Sequence, residues 1–220
     1  MPFTVVVWNV HKERDALERE LAEVAARPDL VLLQEAIGPD IGPLTAQGQA
    51  TQAVSFRFVR EGGMTGVATW SRGPALDLSP RRTESRDLYG TPKSALLSTH
   101  PLAGGQRLLA VNVHGINLRR ADLLARQLRS VEAAVAEHVG PVVVAGDFNT
   151  WSRRRFAVVE AFSRRLGLMR VFTGPDAPKL DAVFVRGLEV EHARVIETRH
   201  SDHDALVVVL RVPGTDQSSI

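Results

Sequence analysis

Short runs of branched apolar residues recur along the chain, separated by polar turns, and a few longer segments carry apolar residues at helical spacing. The short runs predict strands near residues 3–9, 29–35, 54–59, 65–71, 94–99, 107–113, 141–146, 180–185, 190–196 and 205–212. Helices are expected over 13–26, 120–138 and 153–166; in the second, Leu124, Leu128, Val131 and Val135 form one apolar stripe suited to docking on a sheet. Residues 72–92, with Gly73-Pro74, Pro80 and Tyr89-Gly90-Thr91-Pro92, read as a long loop, and the chain after Pro213 as a frayed tail. Gly62-Gly63-Met64-Thr65-Gly66 lacks the Lys-Ser/Thr of a phosphate-binding loop and reads as a turn before a strand.

The strands end in a way that packing alone does not require. Val142-Val143-Val144-Ala145 looks buried on both faces; Gly146 is expected to break it, and Asp147, Phe148 and Asn149 follow. In extended chain Asp147 and Asn149 share a face, at the strand edge where open α/β sheets place ligands. An anionic acceptor beside an amide suits holding a water against a phosphate. Other apolar runs end alike: at Asn9, at Gln34-Glu35 and at His114, while Leu180 to Val185 carries Asp181 inside an otherwise apolar segment and Ser201-Asp202-His203 precedes a further strand. Burying unpaired charge is costly, so convergent polar strand ends mark a site.

Composition adds little and excludes some chemistry. The chain has 220 residues, 44% hydrophobic, a size that suits one domain over residues 1–213. With no cysteine there is no disulfide framework, thiolate metal site or cysteine nucleophile; a reducing, cytoplasmic setting is the expectation. No basic segment followed by an apolar one precedes the first strand, and no apolar run reaches the length of a membrane span, so neither a signal peptide nor a membrane anchor is expected. Net charge is only +2, but 24 of the basic residues are arginine, which suits bidentate phosphate contacts. A coding bias toward arginine explains the count equally well; position is more telling. Arg119-Arg120 and Arg153-Arg154-Arg155 follow His114 and Asn149 closely, so both clusters should rim the same edge. A monomer is expected.

Asn9, Gln34-Glu35, Gly146-Asp147-Phe148-Asn149, Leu180-Asp181 and Ser201-Asp202-His203 occur in the order and spacing of the endonuclease/exonuclease/phosphatase superfamily, and the chain resembles it from residue 4 to about 212. Trp8-Asn9-Val10, Leu32 to Ala36, Lys93 to Leu96, Val111 to His114 and Gly146 to Arg155 resemble its small bacterial YafD-like branch most. The resemblance implies a DNase I-like four-layer α/β sandwich, two packed and mostly antiparallel sheets flanked by helices. It implies a Mg²⁺ site, with Mn²⁺ as substitute, centred on Glu35 and supported by Asn9 and Asp202, all hard oxygen donors. For Asn9 a cap on the turn into the first helix is the competing role. Neighbouring strand residues face opposite ways, so the acid that orients His203 is expected to be Asp181 rather than Asp202; the resemblance assigns that pair alike. Asp147 is the candidate to position or deprotonate the attacking water, and Asn149 and His114 are candidate phosphate contacts. Lys93 is a further candidate cation, or else a solvated lysine at a strand edge. His200 and His203 have zinc-like spacing but no third nitrogen or sulfur ligand, and zinc is set aside.

These residues predict a metal-dependent phosphodiesterase, an endo- or exonuclease on nucleic acid, with Arg153, Arg154 and Arg155 on neighbouring phosphates. A phosphomonoesterase, or a lipid or inositol-phosphate phosphodiesterase, uses the same constellation. Arginine-rich rim loops and 5% aromatics count against a lipid substrate. A binding module that has lost catalysis would show gaps at the catalytic positions, and there are none.

Overall fold

The computed structural model describes residues 1–12, 20–37, 47–57, 64–173 and 180–214. Its strands are β1 (Phe3–Asn9), β2 (Leu30–Ile37), β3 (Gln49–Arg57), β4 (Met64–Ser71), β5 (Asp77–Arg86), β6 (Pro92–Pro101), β7 (Arg107–His114), β8 (Val142–Asp147), β9 (Met169–Arg170), β10 (Asp181–Arg186), β11 (Glu189–Ile196) and β12 (Ala205–Arg211). Two long helices, α1 (Ala121–Glu137) and α2 (Arg153–Arg165), match the expected 120–138 and 153–166. Of the helix expected over 13–26, residues 20–24 are helical and 13–19 lie outside the described residues.

The strands make two six-stranded sheets, ordered β11-β12-β1-β2-β4-β3 and β5-β6-β7-β8-β10-β9. Each has one parallel pair, β1–β2 or β7–β8, among antiparallel neighbours. Side-chain alternation sets the layers. Val5, Val7, Leu30 and Leu32 meet Leu108, Ala110, Val143 and Ala145 between the sheets. Val6, Trp8, Val31 and Leu33 turn outward onto Leu21 and Val24. Val142 and Val144 turn outward onto the Leu124, Leu128, Val131 and Val135 stripe of α1 and onto Val159 and Phe162 of α2. Strands covered on both faces read as continuous apolar runs for this reason, and each such side chain contributes about 1.5–3 kcal/mol by leaving water. The result is the expected four-layer α/β sandwich.

Two sequence expectations fail. The loop expected over 72–92 contains β5. This strand pairs only with β6, at the sheet edge, and its residues alternate between exposed and half-buried with no apolar face. Edge strands tolerate proline and favour charge, which makes Leu-Ser-Pro-Arg-Arg look like a loop. Gly146 does not end β8, which runs through Asp147. The glycine has φ +138°, and a Cβ there would lie 2.0 Å from the Val113 carbonyl oxygen of β7. It lets the two parallel strands close up just before their polar ends.

Candidate functional site

The register of the strands brings the polar ends together. Asn9 lies beside Gln34 on the β1–β2 pair, His114 beside Asp147 on β7–β8, and Asp181 opposite Asp147 on the antiparallel β8–β10 pair. His203 arrives just before β12, which runs antiparallel to β1. Its segment is pinned: Ser201 Oγ donates to the Asn9 carbonyl at 2.6 Å, and Trp8 Nε1 and Thr198 Oγ1 donate to the His203 carbonyl at 2.9 and 2.8 Å. Between the sheets, Gln34 Nε2 donates to Asn112 Oδ1 at 2.7 Å, and Asn112 Nδ2 donates to the Leu33 and Ala68 carbonyls. This buried amide bridge, whose Gln34 Oε1 is left without a hydrogen-bond partner, fixes how one sheet sits on the other.

Asp147 is the centre. Its Oδ1 accepts the backbone N–H of Asn149 at 2.8 Å, and its Oδ2 accepts Nδ2 of Asn9 and of Asn149, each at 3.1 Å. Asn149, at φ +52°, spends its other amide proton on the Gly115 carbonyl at 3.0 Å. Both of its side-chain N–H groups are thus engaged by the protein, one of them on Asp147. Asn9 Nδ2 reaches Asp147, while its Oδ1 accepts His11 N at 3.1 Å in the turn.

His203 Nδ1 meets Asp181 Oδ2 at 2.7 Å, whereas Asp202 is 4.0 Å from Nε2, so Asp181 is the orienting acid. Burial alone would lower the pKa of His203; the Asp181 hydrogen bond and charge, aided by Asp147, raise it to about 9. The ring is therefore an imidazolium at neutral pH. Burial, followed by the Asp181 charge, pushes the Asp147 carboxyl well above its ordinary range. Burial also raises that of Asp181, against the pull of the His203 hydrogen bond.

Across the cleft, Glu35 departs from its strand at φ +53°, where β2 shifts register against β4. Lys12 Nζ lies 2.7 Å from its carboxylate, and Lys93 Nζ and His114 Nε2 lie 3.7 Å away. Burial would raise its pKa; His114, a hydrogen bond from Lys12 and the charges of Lys93 and Lys12 prevail and hold it at about 2. His114 is buried, 3.6 Å from Asp147, and burial first, then Lys93, drives its pKa far down, so it is a neutral ring between two carboxylates and the lysines carry the local positive charge. Lys93 is not a solvated edge residue: it is buried and also lies 3.7 Å from Asp87. Together Glu35, Lys12, Lys93 and His114 line a cleft of about 290 Å³ with His11, Asp87, Tyr89, Thr91 and Asn117 among its walls.

Asp202 and Arg155 differ in exposure from what the sequence suggests. Asp202 is 62% exposed and faces His11 Nδ1 at 3.1 Å; among the described residues no three His, Asp or Glu side chains converge as a metal cage. Glu35, with supporting oxygens from Asn9 and Asp202 and otherwise water, is a hard-oxygen donor set that would suit Mg²⁺. Arg155, expected on the rim, is 1% exposed. It donates to the carbonyls of Asn149 at 2.6 Å, of Arg119 at 3.0 Å and of Ile116. Arg153 and Arg154 do stand exposed. Sequence reasoning missed Lys12, Asp87 and Trp151. Asp87 Oδ1 accepts the N–H groups of Tyr89 and Thr91 and so shapes the turn at the cleft mouth; the only sequence signal was an Asp before a Gly-Thr-Pro turn.

A sequence model of the Endonuclease/Exonuclease/phosphatase family matches residues 6–203. Solved structures share the fold at low identity. One is an endonuclease/exonuclease/phosphatase from Beutenbergia cavernae, 18% identical, covering 96% of this chain and 72% of its own, with a TM-score of 0.72. Another is sphingomyelinase C from Streptomyces griseocarneus, 16% identical over 95% of this chain and 99% of its own, TM-score 0.68. A third is the endonuclease domain of TRAS1, a telomere-specific non-LTR retrotransposon, 15% identical over 96% and 99%, TM-score 0.66.

Proposed function

Because the chain belongs to the Endonuclease/Exonuclease/phosphatase family, whose members hydrolyse phosphoesters, we propose that it is a Mg²⁺-dependent phosphodiesterase acting on nucleic acid, with Mn²⁺ as the substitute ion. One arrangement carries the chemistry: His203, bonded to Asp181 at 2.7 Å, and Asp147, held by three N–H donors, come together near Glu35, which Lys12, Lys93 and His114 surround. A protonated His203 is a poor base. Asp147, buried yet held by three N–H donors, is the group to orient a water and accept its proton as the water oxygen bonds to phosphorus. His203 stabilises the charge gathering on the phosphoryl oxygens, and the leaving oxygen departs as the alcohol after taking a proton from solvent, to which Asp147 later releases its own. His114 Nε2 and Lys93 Nζ add a hydrogen-bonding group and a positive charge on the Glu35 side. Glu35 would hold the ion, with Asn9 and Asp202 as further oxygen donors; when bound, it supplies charge neutralisation and polarises a phosphoryl oxygen.

Exposed arginines beyond the cleft, Arg119, Arg120, Arg153 and Arg154, favour a polyanion over a small ester. A second reading, a lipid phosphodiesterase, draws on Leu88 and Tyr89, which stand exposed on the turn at the cleft mouth. The test is hydrolysis of labelled DNA, RNA, inositol phosphates and sphingomyelin, with Mg²⁺ and with EDTA, in the unaltered chain and in Glu35→Gln. Nucleic acid should be cleaved only with the ion, and Glu35→Gln should be slower by about 10²-fold or more. Full turnover in EDTA refutes the metal role, and turnover of sphingomyelin alone refutes the substrate.

A further inference from the structure

Beside the catalytic cleft lies a second groove of about 640 Å³ lined by Arg119, Arg120, Asp122, Trp151, Arg154 and Arg155 among others. It is built on the two loops that carry the site, the one after His114 and the one after Asp147. The two cavities share a wall: Asn117 lines the cleft, and its Oδ1 accepts Nε1–H of Trp151 at 3.1 Å. That bond orients the indole. Trp8 and Trp70 are each 1% exposed, whereas Trp151 is 52% exposed. A large aromatic ring left half in water, its polar edge fixed and the buried Arg155 guanidinium 5.3 Å from its centroid, is a preformed surface with little entropy left to lose.

The charge around it is cationic. Arg119 donates through Nε to the Arg86 carbonyl, which fixes its direction and leaves the Nη groups over. Arg120 leans on Asp122, the one acid of the groove. Arg154 is exposed and makes no hydrogen bond or ion pair among the described residues. An aromatic platform framed by guanidinium groups, next to a phosphodiester site, fits one kind of ligand.

We propose that this groove is a flanking-nucleotide subsite for single-stranded nucleic acid, the base lying on Trp151 and its phosphate on Arg154 and Arg119. The proposal rests on the nuclease reading above and deepens it. A base inside a duplex presents no open face to an indole, so the preference is for single strands or frayed ends. An acyl chain would need continuous apolar surface, and here the indole is surrounded by charge.

Trp151 is also its own reporter, since the other two tryptophans are buried. His203→Ala protein with Mg²⁺ is titrated with oligothymidylate, with an abasic backbone of equal length, with a duplex and with sphingomyelin vesicles, following indole emission. Oligothymidylate should quench the emission and the abasic strand should not. Trp151→Ala should weaken oligothymidylate by roughly five- to a hundred-fold and leave abasic affinity alone. Arg154→Ala should flatten the slope of log K against log[salt] by about 0.7. The quench is read on the intact indole, so the inference stays testable if Trp151→Ala does not fold. Binding of oligothymidylate without quench, or equal quench by the abasic strand, overturns the platform and leaves the nuclease reading standing. A response to vesicles alone overturns the inference in favour of a lipid surface. No binding of any strand overturns both.

Discussion

Replacing Arg155 should unfold the protein far more readily than replacing its neighbour Arg154, although the two are adjacent arginines in the first turn of α2. The guanidinium of Arg155 joins three carbonyls from separate places: Asn149 after β8, and Ile116 and Arg119 after β7. Each hydrogen bond to a charged group is worth about 1.5–3 kcal/mol, and a buried carbonyl left without a donor costs about 1–3 kcal/mol. Removing the cation also removes the penalty of burying it, which offsets part of the loss. The net expectation is about 4 kcal/mol for Arg155→Ala, a large share of the roughly 5–15 kcal/mol that holds a domain together. Arg155→Lys keeps the charge but not the planar fork, and one ammonium cannot serve three divergent acceptors, so about 2 kcal/mol should still be lost. Arg154→Ala, on the surface, should stay within about 0.5 kcal/mol of the unaltered chain. Urea unfolding followed by far-ultraviolet circular dichroism gives all three. A second readout separates brace from ligand: Arg155→Met should leave the salt slope of oligonucleotide binding unchanged. Stability of Arg155→Ala within about 1 kcal/mol of Arg154→Ala, or a slope lowered by Arg155→Met, would show that the side chain reaches substrate and that the brace is incidental.

If Asp181 acts only by orienting and charging His203, then His203→Ala and the His203→Ala/Asp181→Asn double variant should have nearly equal kcat/KM, and additive losses in activation free energy would sever the pair. His100 gives a stability test away from the site: burial lowers its pKa to about 4, against about 6.5 when unfolded, so its contribution is intact above pH 6.5 and is lost as pH falls toward 4. That loss is about 3 kcal/mol at most, and the gap between unaltered chain and His100→Gln should narrow by a like amount between pH 8 and pH 4; a constant gap refutes it.

What could be read in the sequence was whatever depended on short-range pattern. Val142 to Ala145 look buried because both faces of β8 are covered, and the helical stripe of α1 falls on that strand's outer face. The strand-end polars were legible for the same reason: a charged or amide group closing an apolar run has few structural excuses. What escaped depends on distant chain. Nothing near Arg155 announces that three carbonyls from two loops will point at it, and arginine is a surface residue by default. Lys12 reaches Glu35 by way of two residues, His11 and Lys12, at positive φ, a backbone choice with no glycine to signal it. β5 lacks any apolar alternation because only its partner strand holds it in place. What the Asn149 amide bonds could not be read locally either, since whether an amide is free for substrate depends on a carbonyl 34 residues away, at Gly115.

The two sheets divide the chemistry between them. Each has one parallel strand pair, and each pair ends in polar groups with a non-glycine residue forced to positive φ: Glu35 at φ +53° on the first sheet, Asn149 at φ +52° just beyond the second. Such conformations cost about 1–3 kcal/mol and persist only where surroundings impose them. Here they aim Glu35 into the cleft and let Asn149 fold back onto Asp147. The first sheet thus delivers Asn9, Glu35 and the approach to His203, and the second delivers His114, Asp147 and Asp181. Neither sheet holds a working set alone. Three contacts join the sets at the reacting edge: Asn9 to Asp147, His203 to Asp181, and His114 between Glu35 and Asp147. Deeper in, Gln34 and Asn112 fix the relative height of the sheets at the same end of the strands. A slip of one sheet against the other would separate Asp147 from Glu35 without disturbing either sheet's own hydrogen bonds. The buried amide bridge, which an apolar pair of equal volume could replace at little cost in stability, therefore makes better sense as a registration device for the site than as a source of stability.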